Sequence, residues 1–379
     1  MEKNNTTKEL MRLYNSIIVM NDNKERVLRI RDLVSISNFC IKVGYISKEE
    51  YNDLFKDLDI TKYKHYVNKD LEKTRNELIE NRETLINMFG QVLRTIYKCN
   101  THQDKPINVD ENKVMVTIED FFKWLDPELY KEFIRMANEK NILYTRIKHC
   151  GGLTVNAEGV LNTSYILVDR HQEEMYYNVA LVHEMGHAWG NKVSKNNHFF
   201  FAKDIFCEFP SILFEELYRR YLRENHLFLK EIKDENKQAL KVRYISTIKA
   251  RFALICTKLK KAEYRNLKVI PSQSIKTLNE LSRNIDGLII RDKNNIDLYE
   301  CMYVLGFIFA SYFVDRIFEN KEEGLKEVKD FICRTKYDSL ENILKDYPTI
   351  LHHTKENIIK AYYNDFEYRN GYTKRKRIK

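Results

Sequence analysis

One stretch of this 379-residue chain, "NILYTRIKHCGGLTVNAEGVLNTSYILVDR" (141–170), gathers β-branched and aromatic residues around Gly151, Gly152 and Gly159. That texture predicts two or three short strands joined by turns. On both sides of it the apolar residues recur at helical spacing. In "DLEKTRNELIENRETLINMFGQVLRTIY" (70–97), Leu71, Leu78, Leu85, Phe89, Val92 and Ile96 follow one another at intervals of three, four and seven. Only 11 glycines and 5 prolines are available to interrupt such helices. The expected fold is therefore mainly α, with a single small sheet.

The length suits two domains or one large bilobed one. "KCNTHQDKPINVDENK" (98–113) is polar, holds a proline and reads as a linker. It divides an N-terminal helical lobe, 1–110, from a region at 111–370, and a basic tail, 371–379, follows. In "TIEDFFKWLDPELYKEFIRMANEK" (117–140), Thr117 and Asp120 are helix-start signals and Pro127 suits a first turn.

The opening residues contain no apolar run longer than "SIIVM", too short for a secretory leader. The run "YVLGFIFASYFV" (303–314) falls short of the roughly 20 residues that span a bilayer, so it is expected to be a core helix. Seven scattered cysteines, never spaced C-x-x-C, suggest neither a disulfide framework nor a thiolate metal site, and a reducing cytoplasm is expected. The net charge of +9 is uneven. Residues 241–268 hold nine Lys/Arg against one acid and the closing "KRKRIK" holds five, which leaves the remainder slightly acidic. Two readings follow: a solvated helix face with a tail, or a surface for nucleic acid or another anionic partner.

"ALVHEMGHAWG" (180–190) sits in a helical context just after the strand-like stretch. Residues four apart on a helix share one face, so His183 and His187 can hold a single metal ion, with Glu184 directed at the same site. A carboxylate beside a metal can take a proton from water, which makes the set chemically complete. Sites of this type need a third protein ligand. "AKDIFCEFPSILFEELYRRYL" (202–222) offers Glu208, Glu215 and Glu216 among apolar neighbours. Glu208 and Glu215, seven apart, share a face, so one can ligate while the other hydrogen-bonds a ligating histidine. Glu216 lies on another face.

"HEMGHAWG" followed by "CEFPSILFEE" resembles the thimet oligopeptidase and oligoendopeptidase F family of zinc metallopeptidases. "NTSYILVD" (162–169) is similar to that family's substrate-pairing edge strand, "LYECMYVLGF" (298–307) to its tyrosine-rich helix across the cleft, and "FICRTKYDSLENILKDY" (331–347) to its closing helical segment. The resemblance spans roughly 140–350. It implies a mainly α, bilobed, zincin-like metallopeptidase with a small β-sheet beside the active-site helix. One zinc ion per chain would be held by His183, His187 and Glu208, with Glu184 as general base and acid. Ser211 and Glu215 match positions that support the ligands from behind. Tyr299 or Tyr303 would donate to the oxyanion, and Tyr165, Ile166 and Leu167 would run along the peptide. The implied function is zinc-dependent endoproteolysis of short peptides, with no membrane involvement. The chain is shorter than usual members in its N-terminal half, so a reduced covering lobe is expected. The alternative is a nucleic-acid or partner-binding protein on the same scaffold, using the basic stretch 241–268.

Overall fold

The structure, a computed structural model, describes residues 2–19, 23–96, 106–145, 152–157, 163–169, 173–195, 205–257 and 298–370. The polar stretch around 98–105, the second half of the basic stretch and the basic tail lie outside them. Helices dominate, as the spacing of apolar residues predicts, and one three-stranded sheet interrupts them.

Four helices open the chain: α1 (Glu2–Ile18), α2 (Asn23–Lys42), α3 (Lys48–Lys56) and α4 (Thr61–Glu80). A capping box starts α3, with the Ser47 hydroxyl accepting from the Glu50 amide and the Glu50 carboxylate accepting from the Ser47 amide. The periodic run at 70–97 is two helices rather than one. Asn81 ends α4, its backbone and side-chain N–H groups both donating to the Glu77 carbonyl, and α5 (Arg82–Ile96) begins directly after it. Of the six apolar residues in that run only Leu71 is exposed.

Next come α6 (Glu111–Leu125) and α7 (Pro127–Asn138). Pro127 does occupy a first turn, capped by Asp126. The helix before it starts earlier than Thr117 implies, because Asp110 caps it through the amides of Asn112 and Lys113. Thr117 is instead buried in its middle, bonded to the Val114 carbonyl and within 3.0 Å of the Tyr218 hydroxyl.

The sheet consists of β1 (Ile142–Thr145), β2 (Gly152–Ala157) and β3 (Thr163–Asp169), in the order β1-β3-β2. Strand β3 is central, parallel to β1 (Ile142 opposite Ile166) and antiparallel to β2 (Thr154 opposite Ile166). Every residue of it is buried. Period-2 alternation divides its side chains between two cores: Tyr165 and Leu167 pack with α1 to α3, and Ile166 and Val168 pack into the main core. This corrects one expectation. Tyr165, Ile166 and Leu167 do not run along an open edge, since both sides of β3 are already hydrogen-bonded, and Tyr165 stacks 5.5 Å from the Phe39 ring. Among the described strands, the edges are β1 and β2.

Helix α8 (Met175–Lys195) packs along β2 and β3 on the main-core face, and α9 (Phe209–Glu224) packs along α8. The remaining elements are α10 (Leu229–Cys256), α11 (Tyr299–Glu319), α12 (Lys321–Arg334), α13 (Leu340–Asp346) and α14 (Ile350–Asn370). Helix α11 is long and apolar enough to cross a membrane by length and composition, but most of it is packed inside the protein, against α9, α10 and α14. The cores do not divide at residue 110, because Leu85, Phe89 and Val92 of α5 already belong to the main core.

Candidate metal centre

Helix α8 presents His183 and His187 one turn apart, their rings 4.9 Å between centroids and nearly perpendicular. What meets them depends on a glycine. A Cβ at Gly186 would stand 2.6 Å from the Pro210 carbonyl oxygen and from Ser211 Cα, so only glycine lets the start of α9 approach α8 this closely. That approach carries Glu208, the residue immediately before α9, onto the histidines. Glu208 Oε2 lies 3.6 Å from His183 Nε2 and 3.4 Å from His187 Nε2. Donors about 2.0–2.2 Å from a tetrahedral zinc stand about 3.3–3.6 Å apart. One donor atom from each of the three residues falls within 4.8 Å of the others, so the set fits such an ion.

The supporting contacts hold this set from behind. Burial works to raise the Glu208 carboxyl, but His187 and His183 beside it outweigh burial and hold it below the usual carboxylate range. The Ser211 hydroxyl donates to the Glu208 carbonyl at 2.9 Å and lies 3.5 Å from Oε2. The Tyr299 hydroxyl donates to Glu208 Oε1 at 2.8 Å. Glu215 Oε1 sits 2.5 Å from His183 Nδ1. Its other oxygen accepts from Arg219 at 2.9 Å and from Arg243 at 2.8 Å. Burial would raise Glu215, yet Arg243 and Arg219 hold it far below its ordinary value, so it is an anion. An anion at Nδ1 makes that nitrogen the donor and leaves the Nε2 lone pair facing Glu208. Arg219 is also bonded to the buried Glu235 at 3.1 Å.

Glu184 is buried next to the pair. The Thr154 hydroxyl of β2 donates to Glu184 Oε2 at 2.6 Å and lies 2.9 Å from its main-chain oxygen. Gly152, which reads in the sequence as a turn residue, opens β2 instead, and a Cβ there would fall 2.5 Å from Glu184 Oε1. A glycine within a strand signals close approach by another group, and that signal was present. Neither Thr154 nor Arg243 could be singled out, since each is recruited from a distant element, whereas Arg219 lies four residues from Glu215 on α9 itself.

Tyr299 and Tyr303 lie on the first turns of α11, rings 5.3 Å apart and edge to face. Burial, with Glu208 nearby, raises both phenols and keeps their protons on. Two cavities meet here, one of about 620 Å³ and one of about 600 Å³. Gly152, His183, Glu184, Tyr299 and Tyr303 line both, so the candidate centre lies at their junction beside β2. The described half of the basic stretch is drawn into the fold. Arg243 is buried on Glu215, Lys249 pairs with Glu300 at 3.0 Å, and Arg251 donates to the Ile86 carbonyl.

No family model matches the chain, and no curated protein matches it. Solved structures do. PZ peptidase A in complex with inhibitor 2 aligns at a TM-score of 0.51 and 12% identity, covering 97% of this chain and 75% of that one. A structure from Bacillus anthracis str. Ames assigned as an oligoendopeptidase F gives 0.44 at 13% identity, and one from Chlamydophila abortus assigned as a peptidase gives 0.49 at 15%. This chain spans about 62% of the length of each of these two, while 91% of its own length is covered. The mainly α fold with its small sheet beside the histidine-bearing helix is thus similar to the fold of PZ peptidase A.

Proposed function

We propose that the chain is a zinc-dependent endopeptidase of the thimet oligopeptidase and oligoendopeptidase F family, acting on short peptides. One observation carries the reading: three metal-donor side chains within 4.8 Å of one another stand beside the buried carboxylate of Glu184, where two cavities converge next to the edge strand β2.

His183, His187 and Glu208 would hold one zinc ion per chain, and when bound it would polarise the scissile carbonyl and acidify water. Glu184, oriented by Thr154, takes the proton of the attacking water and returns it to the departing amine nitrogen. A phenol of Tyr299 or Tyr303 donates to the carbonyl oxygen as negative charge develops on it. Strand β2 lies at one edge of the described sheet, and an extended peptide can add to such an edge. The peptide thus enters on β2, not on β3. A reducing cytoplasm suits the five described cysteines, all of them free thiols.

Binding of nucleic acid through 241–268 is not favoured by the described residues of that stretch, since Arg243, Lys249 and Arg251 are committed to internal partners. The experiment that tests the main reading is hydrolysis of a mixed library of short peptides by the zinc-loaded protein, followed by mass spectrometry, beside Glu184→Gln. Cleavage by the wild type that disappears in the variant while zinc stays bound is the expected result. Equal cleavage by both would refute the role given to Glu184.

A further inference from the structure

Behind the metal centre three carboxylates share two guanidiniums. Glu215 accepts from Arg219 at 2.9 Å and from Arg243 at 2.8 Å, Glu216 accepts from Arg219 at 2.9 Å, and Glu235 accepts from Arg219 at 3.1 Å. One nitrogen of Arg219, Nη2, serves both Glu215 and Glu235, so negative charge gained by one acid competes with the other for the same donor. With all three acids ionised the set is one positive charge short.

Glu235 is the member placed to give way. Glu215 is held by His183 on one oxygen and by both arginines on the other, and Glu216 keeps 21% exposure to water. Glu235 is buried, is bonded to Arg219 through Oε1, and its Oε2 has no hydrogen-bond partner among the described residues. An ionised carboxylate placed like this carries charge on an oxygen with neither water nor a donor, which costs far more than the same oxygen in an uncharged acid. Burial raises the Glu235 carboxyl, Glu215 and Glu216 add to the rise, and Arg219 opposes it without cancelling it. The other charged and titratable groups around it are accounted for. Tyr176, His183 and Glu184 from α8 and Tyr299, Glu300 and Tyr303 from α11 line the cavity that Glu235 also lines, and Lys249 is paired with Glu300. Asp234 and Lys237, beside Glu235 on α10, pair with each other, and α14 meets the neighbouring Asn236 through the uncharged Ala361 carbonyl.

We infer that Glu235 stands in the folded protein as an uncharged acid and is a positioning residue for the metal centre: it accepts from Arg219 and aims that guanidinium at Glu215, without drawing its charge away from the carboxylate that orients His183. The contacts run from Glu235 through Arg219 and Glu215 to His183 Nδ1. The inference rests on His183 as a metal ligand and not on peptide cleavage.

The test compares the full-length protein with Glu235→Gln, an isostere of the uncharged acid, and with Glu235→Met, which fills similar space and accepts nothing. The first arm is urea unfolding of the metal-free proteins from about pH 4.5 to 8. An unfolded glutamate ionises at about 4.3, so above that pH the wild type takes up a proton on folding and Glu235→Gln does not. Glu235→Gln should therefore gain on the wild type as pH rises, by up to about tenfold in the unfolding constant per pH unit, until the folded value is passed. A difference that stays flat or shrinks over this range means that Glu235 is ionised and overturns the inference. The second arm is zinc affinity at neutral pH by chelator competition, with nitrogen NMR of His183 in the metal-free proteins. Glu235→Gln should keep the wild-type affinity within about twofold and the proton on Nδ1, while Glu235→Met should bind zinc about tenfold more weakly and lose the single tautomer. If the Met protein does not fold, Glu235→Asp, which draws the acid back from Arg219, takes its place with the same expectation. Wild-type affinity and tautomer in that variant overturn the positioning role. If the wild type itself binds no zinc, the metal-centre reading falls, and the tautomer comparison alone decides whether Glu235 positions His183.

Discussion

Glu215 Oε1 stands 2.5 Å from Nδ1 of His183, and the same carboxylate is clamped by Arg219 and by Arg243 from α10. Glu215, 32 residues further along the chain on α9, thereby sets which nitrogen of His183 faces Glu208. Removing the carboxylate releases the ring and leaves two buried guanidiniums without it. In Glu215→Ala, zinc affinity should drop about 10- to 100-fold and stability by about 3–5 kcal/mol. Chelator competition and urea denaturation measure the two, and a variant with unaltered zinc affinity contradicts the role given to Glu215.

Gly152 leaves no room for a methyl group beside Glu184, with the Cβ position 2.5 Å from Oε1. Gly152→Ala should displace the Glu184 carboxylate or the β2 edge by enough to lower kcat/KM about 100-fold, the order expected for a misplacement near 1 Å. Zinc affinity should be unchanged, since the methyl does not reach the ligands. Steady-state kinetics with parallel zinc titration checks this, and a loss of zinc along with activity would show that the effect is general disruption.

The two tyrosines should separate by function. The Tyr299 proton is already given to Glu208 Oε1, which leaves Tyr303 to meet the substrate oxygen. Tyr303→Phe should cut kcat about 10²- to 10³-fold with zinc affinity retained, while Tyr299→Phe should weaken zinc binding. The reverse pattern in kcat and zinc competition would exchange the assignments.

Cys40 is fully buried among α1 to α3 and the sheet, and burial pushes its thiol up to about 12; Cys256 is pushed up to about 11 by the same cause. An ordinary thiol ionises near 8.5, so the unfolded chain loses these protons first as pH rises. The stabilising effect is complete below about 8.5 and is lost as pH climbs through the folded values. Stability should fall between about pH 9 and 12, and less steeply in Cys40→Ala, as seen by denaturation at a series of pH values. At pH 8 native Cys40 should resist a thiol reagent that labels it readily in urea, and rapid native labelling counts against the buried placement.

The helices, the small sheet and the pair His183 and His187 were legible in the sequence because each is a local pattern. Periodicity and i, i+4 spacing operate within a few residues and need no tertiary information. In the sequence Glu208 is one of three candidate glutamates, with Glu215 and Glu216, and only the family resemblance distinguishes it as a ligand. Strand order could not be read. The family resemblance casts β3 as an edge strand, whereas its neighbours are chosen by hydrogen bonding between segments well apart in sequence, and its unbroken apolar run "YILV" is what a strand covered on both faces carries. The hold of Arg243 on Glu215, the fit of Gly152 against Glu184 and the meeting of Arg31 with Asn156 join residues between 28 and 125 positions apart. Contacts of that range leave no periodic trace in the chain, and only the packing of α2, α8, α9 and α10 around the sheet decides them.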